Sequence, residues 1–372
     1  MVKPIALIGV IGFLALFGYA CAPTPRGSAL KVEQVCNDGV LAPVPFLKVP
    51  FYPMEPYEQD PEADPVPVNL DIQADLAAAF QAAPPFFKAQ LCNLRGIYIN
   101  PTGCGGYDPG TCGNLSDTDV ADNSWGFRNT EKAGYIAISL GLWKNNPCKD
   151  AKKVCAPTLR TYETKRLLAL LNRTAEKDLG TLSTGDRKPH VTIPSYEVSP
   201  DIPSVLAALA HELGHVLWWQ VFVPQTRSQY LDTATFCDGG FYPSGAWQGT
   251  PVDIPKHRWI GFGDIRLQPK DSDVQLLAQF LQSGDYSRAF DRLHRIYSNG
   301  RWASALAAFS PDEDFVETFE LFVLLNAGLR QAAITTYGHR KYSDSIVRDV
   351  NVAPFLQTKL QCFARLAQPA SR

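Results

Sequence analysis

Two spacings of apolar residues recur along this chain, and each predicts a kind of element. Leu94-Arg95-Gly96-Ile97-Tyr98-Ile99-Asn100 alternates as a strand does, and Gly134-Tyr135-Ile136-Ala137-Ile138-Ser139-Leu140 reads as a second strand. Leu70 to Ala82 is predicted to form the first helix, stopped by Pro84-Pro85. Arg160 to Asp178 carries Leu167, Leu168, Leu170 and Leu171, which predicts a long amphipathic helix. Further helices are expected at Asp273–Gln282 and Tyr286–Ser298. Segments around Asp344–Val350 and Pro354–Ala367 close the fold. The resulting class is α+β, mostly helical with a small sheet.

One predicted helix is apolar on nearly every side and is therefore buried. It runs through Pro203-Ser204-Val205-Leu206-Ala207-Ala208-Leu209-Ala210 and continues to Val216-Leu217-Trp218-Trp219, with Asp201 as a cap and Pro203 in the first turn. Inside it stands His211-Glu212-Leu213-Gly214-His215. Two histidines four apart lie on one face of a helix and can grip one metal ion. Unsatisfied polar groups in such a helix are costly, and metal coordination would satisfy all three. The alternative is a core helix whose histidines bond to backbone carbonyls. Zinc hydrolysis needs neutral nitrogen ligands, an open position and a carboxylate base that is not a ligand, which is the role open to Glu212.

A third ligand is required. The extension H-E-x-x-H-x-x-G-x-x-H fails here, because Trp218 and Val221 occupy the glycine and histidine slots. The stretch from Ser310 to Glu320 offers carboxylates instead. Ser310 suits a cap and Pro311 a first turn, and Glu313 and Glu317 fall four apart on one face. Phe315, Val316, Phe319, Phe322 and Val323 supply an apolar surface for docking against the first helix. HELGH followed by EDFVETF resembles the gluzincin-type zinc metallopeptidases. The resemblance implies a zincin-like domain over residues 69–372, with one zinc per chain on His211, His215 and Glu313. It implies Glu212 as catalytic base, and Glu317 as a supporting carboxylate that orients a ligand histidine. The substrate would be a protein or peptide, aligned along a strand near the motif helix by β-addition.

Some features leave the assignment open. The tyrosine that this group often carries about two turns before the ligand glutamate is absent from Ser304-Ala305-Leu306-Ala307-Ala308-Phe309. His294, Tyr297, Tyr337 and His339 are substitutes by residue type only. Val316 stands where alanine is usual. Glu313 also fits a capping box with Ser310, in which case Glu317 would be the ligand. Residues 220–270, rich in Gly, Pro and aromatics, read as an insertion bordering the cleft or as a disulfide-braced subdomain. Two other functions fit the same residues: a non-catalytic envelope scaffold, and a hydrolase of cell-wall peptide cross-links.

Composition narrows the setting. The net charge is −2 with no basic stripe, so nucleic acid is not an expected partner. Residues 1–21 pair one lysine with an apolar run, as a secretory leader does. Cys21 at its end suggests lipoprotein processing and a membrane anchor through an acylated cysteine. Soluble export and an uncleaved anchor are the alternatives. The cysteine count is nine, and acylating Cys21 leaves eight for four disulfides in an extracytoplasmic compartment. Cys104–Cys112 and Cys148–Cys155 are the expected local pairs. Cys36, Cys92, Cys237 and Cys362 would pair at long range. Residues 22–68 are proline-rich and read as an extended arm or spacer. Asp117, Asp119 and Asp122 form either an Asx-turn cluster or a calcium site.

Overall fold

The structure, a computed structural model, describes residues 35–48, 60–112, 124–128, 134–144, 146, 152–176, 188–193, 202–221, 247–249, 267–269, 271–309, 311–347 and 354–367. The leader with Cys21, the Asp117–Asp122 cluster, Cys148, Asp201, Cys237, Ser310 and most of 220–270 lie outside these residues.

The described chain is mixed helix and sheet. In order it forms β1 (Cys36–Asn37), β2 (Val40–Leu41), α1 (Leu70–Ala82), α2 (Pro85–Cys92), β3 (Gly96–Asn100), β4 (Trp125–Arg128), β5 (Gly134–Ser139), α3 (Leu159–Ala175), β6 (His190–Thr192), α4 (Ser204–Val221), β7 (Trp247–Gly249) and β8 (Leu267–Pro269). Then follow α5 (Ser272–Ser283), α6 (Tyr286–Ser298), α7 (Pro311–Asn326), β9 (Ala333–Tyr337), β10 (Lys341–Ser345) and α8 (Pro354–Leu366).

Local chemistry sets the helix starts. Asn69, Thr158, Asp271 and Asp285 each accept a backbone N–H of the first turn of α1, α3, α5 and α6. Pro84-Pro85 does end α1, but the chain turns straight into α2. Pro85 occupies the first helical position, where its missing N–H costs nothing. Helix α4 begins at Ser204, with Pro203 just before it rather than in its first turn.

The main sheet has the order β3–β5–β4, with β3 parallel and β4 antiparallel to β5. Every residue of β3 and β5 is buried, because both faces are covered. Leu47, Tyr98, Phe127, Tyr135 and Ala137 form a small cluster separate from the main core. The middle of the proline-rich stretch joins the other edge of β3. Leu47 N–H donates to the Ile99 carbonyl and Ile99 N–H to that of Pro45, each at 2.9 Å. A second sheet, β10–β9–β6, forms from segments whose sequence gave no clear strand pattern.

Helix α4 packs against both β4 and α7. Gly214 permits the second contact: a Cβ there would sit 3.1 Å from Val316 Cα. Trp218 meets Phe315 at 5.5 Å, and Phe363 of α8 closes the far side of α7 against Phe315 at 4.9 Å. Disulfides join Cys36–Cys92 and Cys104–Cys112. Cys155 and Cys362 are also disulfide-bonded. No helix among the described residues is long and apolar enough to cross a membrane.

Candidate metal centre

Helices α4 and α7 each bring polar groups into an otherwise apolar contact. His211, His215 and Glu313 are all buried, and their ligand atoms lie within 4.8 Å of one another. The two Nε2 atoms are 3.3 Å apart. Glu313 Oε2 lies 3.7 Å from His211 Nε2, and its Oε1 lies 3.6 Å from His215 Nε2. A tetrahedral ion with ligands at about 2.1 Å separates them by about 3.4 Å, so this triangle fits a zinc-sized cation. The fourth corner is left to water or substrate. Two imidazole nitrogens and a carboxylate form a donor set that suits zinc and its neighbouring transition metals.

Glu317 stands elsewhere. Its Oε1 lies 2.9 Å from His211 Nδ1, the ring nitrogen opposite the triangle. Accepting a hydrogen bond from Nδ1–H there leaves the Nε2 lone pair for a metal. Arg166 of α3 also pairs with Glu317, and its Nη1 donates to Glu320 at 2.8 Å. One guanidinium nitrogen is 2.9 Å from His211 Nδ1 as well. Both groups cannot donate to one bond there, and a carboxylate at that distance favours Nδ1–H pointing to Glu317. Ser304 donates to the other oxygen of Glu317. Glu317 and Glu320 with His211 form a second group that could hold a metal. Its centre already contains the Arg166 charge, which would repel a second cation.

The titrations follow this layout. Glu317 is held to about 2: burial alone would raise it, but Arg166, His211 and Ser304 favour its charged form. Burial pushes Glu212 up to about 7, against the pull of His211, Arg166 and the Gly126 N–H. Burial also pushes Glu313 up to about 8, helped by Asp312 and Glu317 and opposed by His211 and Arg166. Burial and Arg166 disfavour charge on His211, yet its hydrogen bonds to Glu317 and Glu320 and the charge of Glu313 hold it well above the usual imidazole range. His215 falls well below that range, first through burial and then through His211. A proton and a metal ion compete for the same His211 nitrogen.

Edge strand β4 reaches the same place. Gly126 donates its N–H to the Glu212 carboxylate. A Cβ on Gly126 would lie 1.6 Å from the Glu212 carbonyl oxygen, so only glycine allows this approach. Among the described residues, β4 pairs with β5 alone.

The structure thus brings together His211, Glu212, His215, Glu313 and Glu317. The proposed substitutes for the missing tyrosine are engaged elsewhere. Tyr297 accepts from Ala305 N–H at 3.2 Å, His294 pairs with Asp344, and His339 pairs with Asp291. Tyr337 packs near His190. Sequence reasoning missed Glu320, Arg166 and Gly126. Glu320 had a signal, since Glu313, Glu317 and Glu320 recur at helical spacing in an apolar helix. Arg166 and Gly126 had none, because both act across long sequence distances. No family model, curated protein or solved structure matches this chain.

Proposed function

We propose that this protein is a zincin-like, extracytoplasmic zinc peptidase, with the ion on His211, His215 and Glu313. The observation that carries the reading is the buried triangle of two Nε2 atoms and one carboxylate, with Glu212 beside it. A zinc ion bound there would supply Lewis acidity and an acidified water, with a pKa of about 7.

The chain's own residues do the rest. Glu212 takes a proton from the attacking water and later returns it to the leaving amine. Its carboxylate is buried beside the histidines, and the Gly126 N–H fixes its direction. Glu317, held by Arg166 and Ser304, keeps His211 in the tautomer that presents Nε2. Strand β4 runs beside Glu212, and the reading takes an extended peptide aligned along it as substrate. The buried carboxylate of Glu212 beside the triangle is what separates this reading from a scaffold without catalysis, which has no need of a base. The disulfides agree with an oxidising compartment.

The test is Glu212→Gln. Purified wild type should carry about one zinc and cleave a casein-like protein. The variant should keep the zinc and lose roughly 10²–10⁴ in rate. Unchanged cleavage by the variant removes the mechanism.

A further inference from the structure

Lys359 alone among the described lysines and arginines is buried, at 0% exposure. It lies in the middle of α8, away from the polar cluster described above. Its ammonium donates to both oxygens of Asp314, at 2.6 and 2.7 Å, and to the Arg301 carbonyl at 3.1 Å. The Trp302 ring lies 4.8 Å from it. Both side chains of the ion pair are 1% exposed. Burying such a pair is costly, and well-packed apolar residues often stabilise a fold as well or better. Stability alone is therefore a weak reason for this lysine.

Its partners point to another role. Asp314 directly follows Glu313, and both belong to the first turn of α7. A first turn has no intrahelical partners for its N–H groups and is the part most prone to fray. A metal ligand there needs an outside support. Arg301 and Trp302 lead into Ser304, whose hydroxyl donates to Glu317. One ammonium thus reaches the turn that carries Glu313 and the segment that holds Glu317. Tyr297 supports the same segment through Ala305 N–H.

We propose that Lys359 is a positioning residue for the metal centre: through Asp314 and Arg301 it fixes Glu313 and Glu317 against His211. This rests on the ligand set given under Proposed function. It assigns a role in that site to the C-terminal helix.

The experiment compares zinc dissociation constants and release rates, by chelator competition, for wild type, Lys359→Met and Lys359→Met/Asp314→Leu. Leu277→Ala in α5 serves as a destabilised control. Lys359→Met removes the cation that faces the buried Asp314 charge, and should both lower Tm and weaken zinc. The double variant removes both charges and should recover most of the Tm. It should still bind zinc about 10-fold more weakly than wild type, as loss of an outer support does. Leu277→Ala should lower Tm and leave zinc affinity unchanged. If the double variant binds zinc like wild type, Lys359 is only structural and the proposal falls. If Lys359→Met does not fold, the double variant decides alone. If neither folds, Asp314→Asn is read by the same criterion. A separate arm guards the premise. Wild type that holds zinc equally well after His211→Ala would refute the ligand set, whatever Lys359 does.

Discussion

Gly126→Ala is the substitution that most directly joins fold to chemistry here. The backbone of Gly126 is not in the positive-φ region, so alanine brings no conformational strain of its own. Only space is at issue. The added carbon would lie 1.6 Å from the Glu212 carbonyl oxygen, 2.6 Å from its carbon and 3.1 Å from its Cα. Ordinary contact is about 3.5 Å, so strand β4 and helix α4 must part by more than 1 Å. All three obstacles are backbone atoms of a buried helix, and none can rotate away. Overpacking of this kind typically costs 1–3 kcal/mol, and both partners here are rigid, so about 3 kcal/mol is expected. The same shift takes the Gly126 N–H away from the Glu212 carboxylate. Misplacing a reacting group by about 1 Å can cost 10²-fold in rate. The ligands come from α4 and α7, not from β4, so zinc should stay. Thermal unfolding, zinc content and cleavage rate of one preparation give the three readouts. Wild-type Tm and rate in Gly126→Ala would refute the reasoning. Lost zinc with an unchanged Tm would show that β4 supports the ligands rather than the base.

Three further results are expected. Glu313→Gln should lower zinc affinity and activity together, whereas Glu317→Gln should weaken zinc by roughly 10–100-fold; the reverse order, read by metal titration, would make Glu317 the ligand. In the metal-free protein the Glu212 pKa is raised from 4.5 to about 7, so its stabilising contribution is complete below 4.5 and is lost as pH rises through 7. Unfolding free energy of metal-free wild type relative to Glu212→Gln should therefore fall by about 2–3 kcal/mol between pH 5 and 8, and a rise over that window would contradict the burial argument. Peptide mapping without reduction should recover Cys36–Cys92 and Cys104–Cys112 as linked pairs, and free thiols at Cys155 or Cys362 would contradict the structure.

What could be read from the sequence divides along physical lines. Helices with strong period and local caps were legible nearly to the residue: Leu70–Ala82 and Tyr286–Ser298 form as expected. Their signals are local. Strands β3 and β5 were legible because they are runs of apolar, β-branched and aromatic residues. Strands β6, β9 and β10 were not, since short polar segments such as Lys341–Ser345 become strands only by pairing with a neighbour. Helix α2 was missed because the prolines that stop one helix also start the next. The metal triangle was legible because both histidines and Glu212 share five residues, and the carboxylates share one turn of α7. Arg166 and Lys359 were illegible for the opposite reason. Each owes its role to groups more than forty residues away.

The charges around the centre make a final argument for a dication in that place. Glu163, Glu212, Glu313, Glu317 and Glu320 approach one another in the space between α3, α4 and α7. Arg166 is the permanent cation among them, and it sits on the Glu317–Glu320 side. Glu317 is accordingly held ionised, at about 2. At Glu212 and Glu313 the pull of His211 and Arg166 is weaker than burial, which lifts them to about 7 and about 8. Glu163, beside Arg166, is also pushed well above the carboxylate range by burial and Glu320, so Glu212 and Glu313 are the raised carboxyls that flank the histidine nitrogens. A divalent ion on those nitrogens adds the charge that lets both ionise. In the proposed mechanism Glu313 then ligates and Glu212 serves as base. The same ion would be poorly placed on the other side of His211, where Arg166 already balances the carboxylates. On the proposed reading the arginine therefore does more than hold Glu317: its charge at the Glu317–Glu320 side leaves the histidine–Glu313 side for the metal.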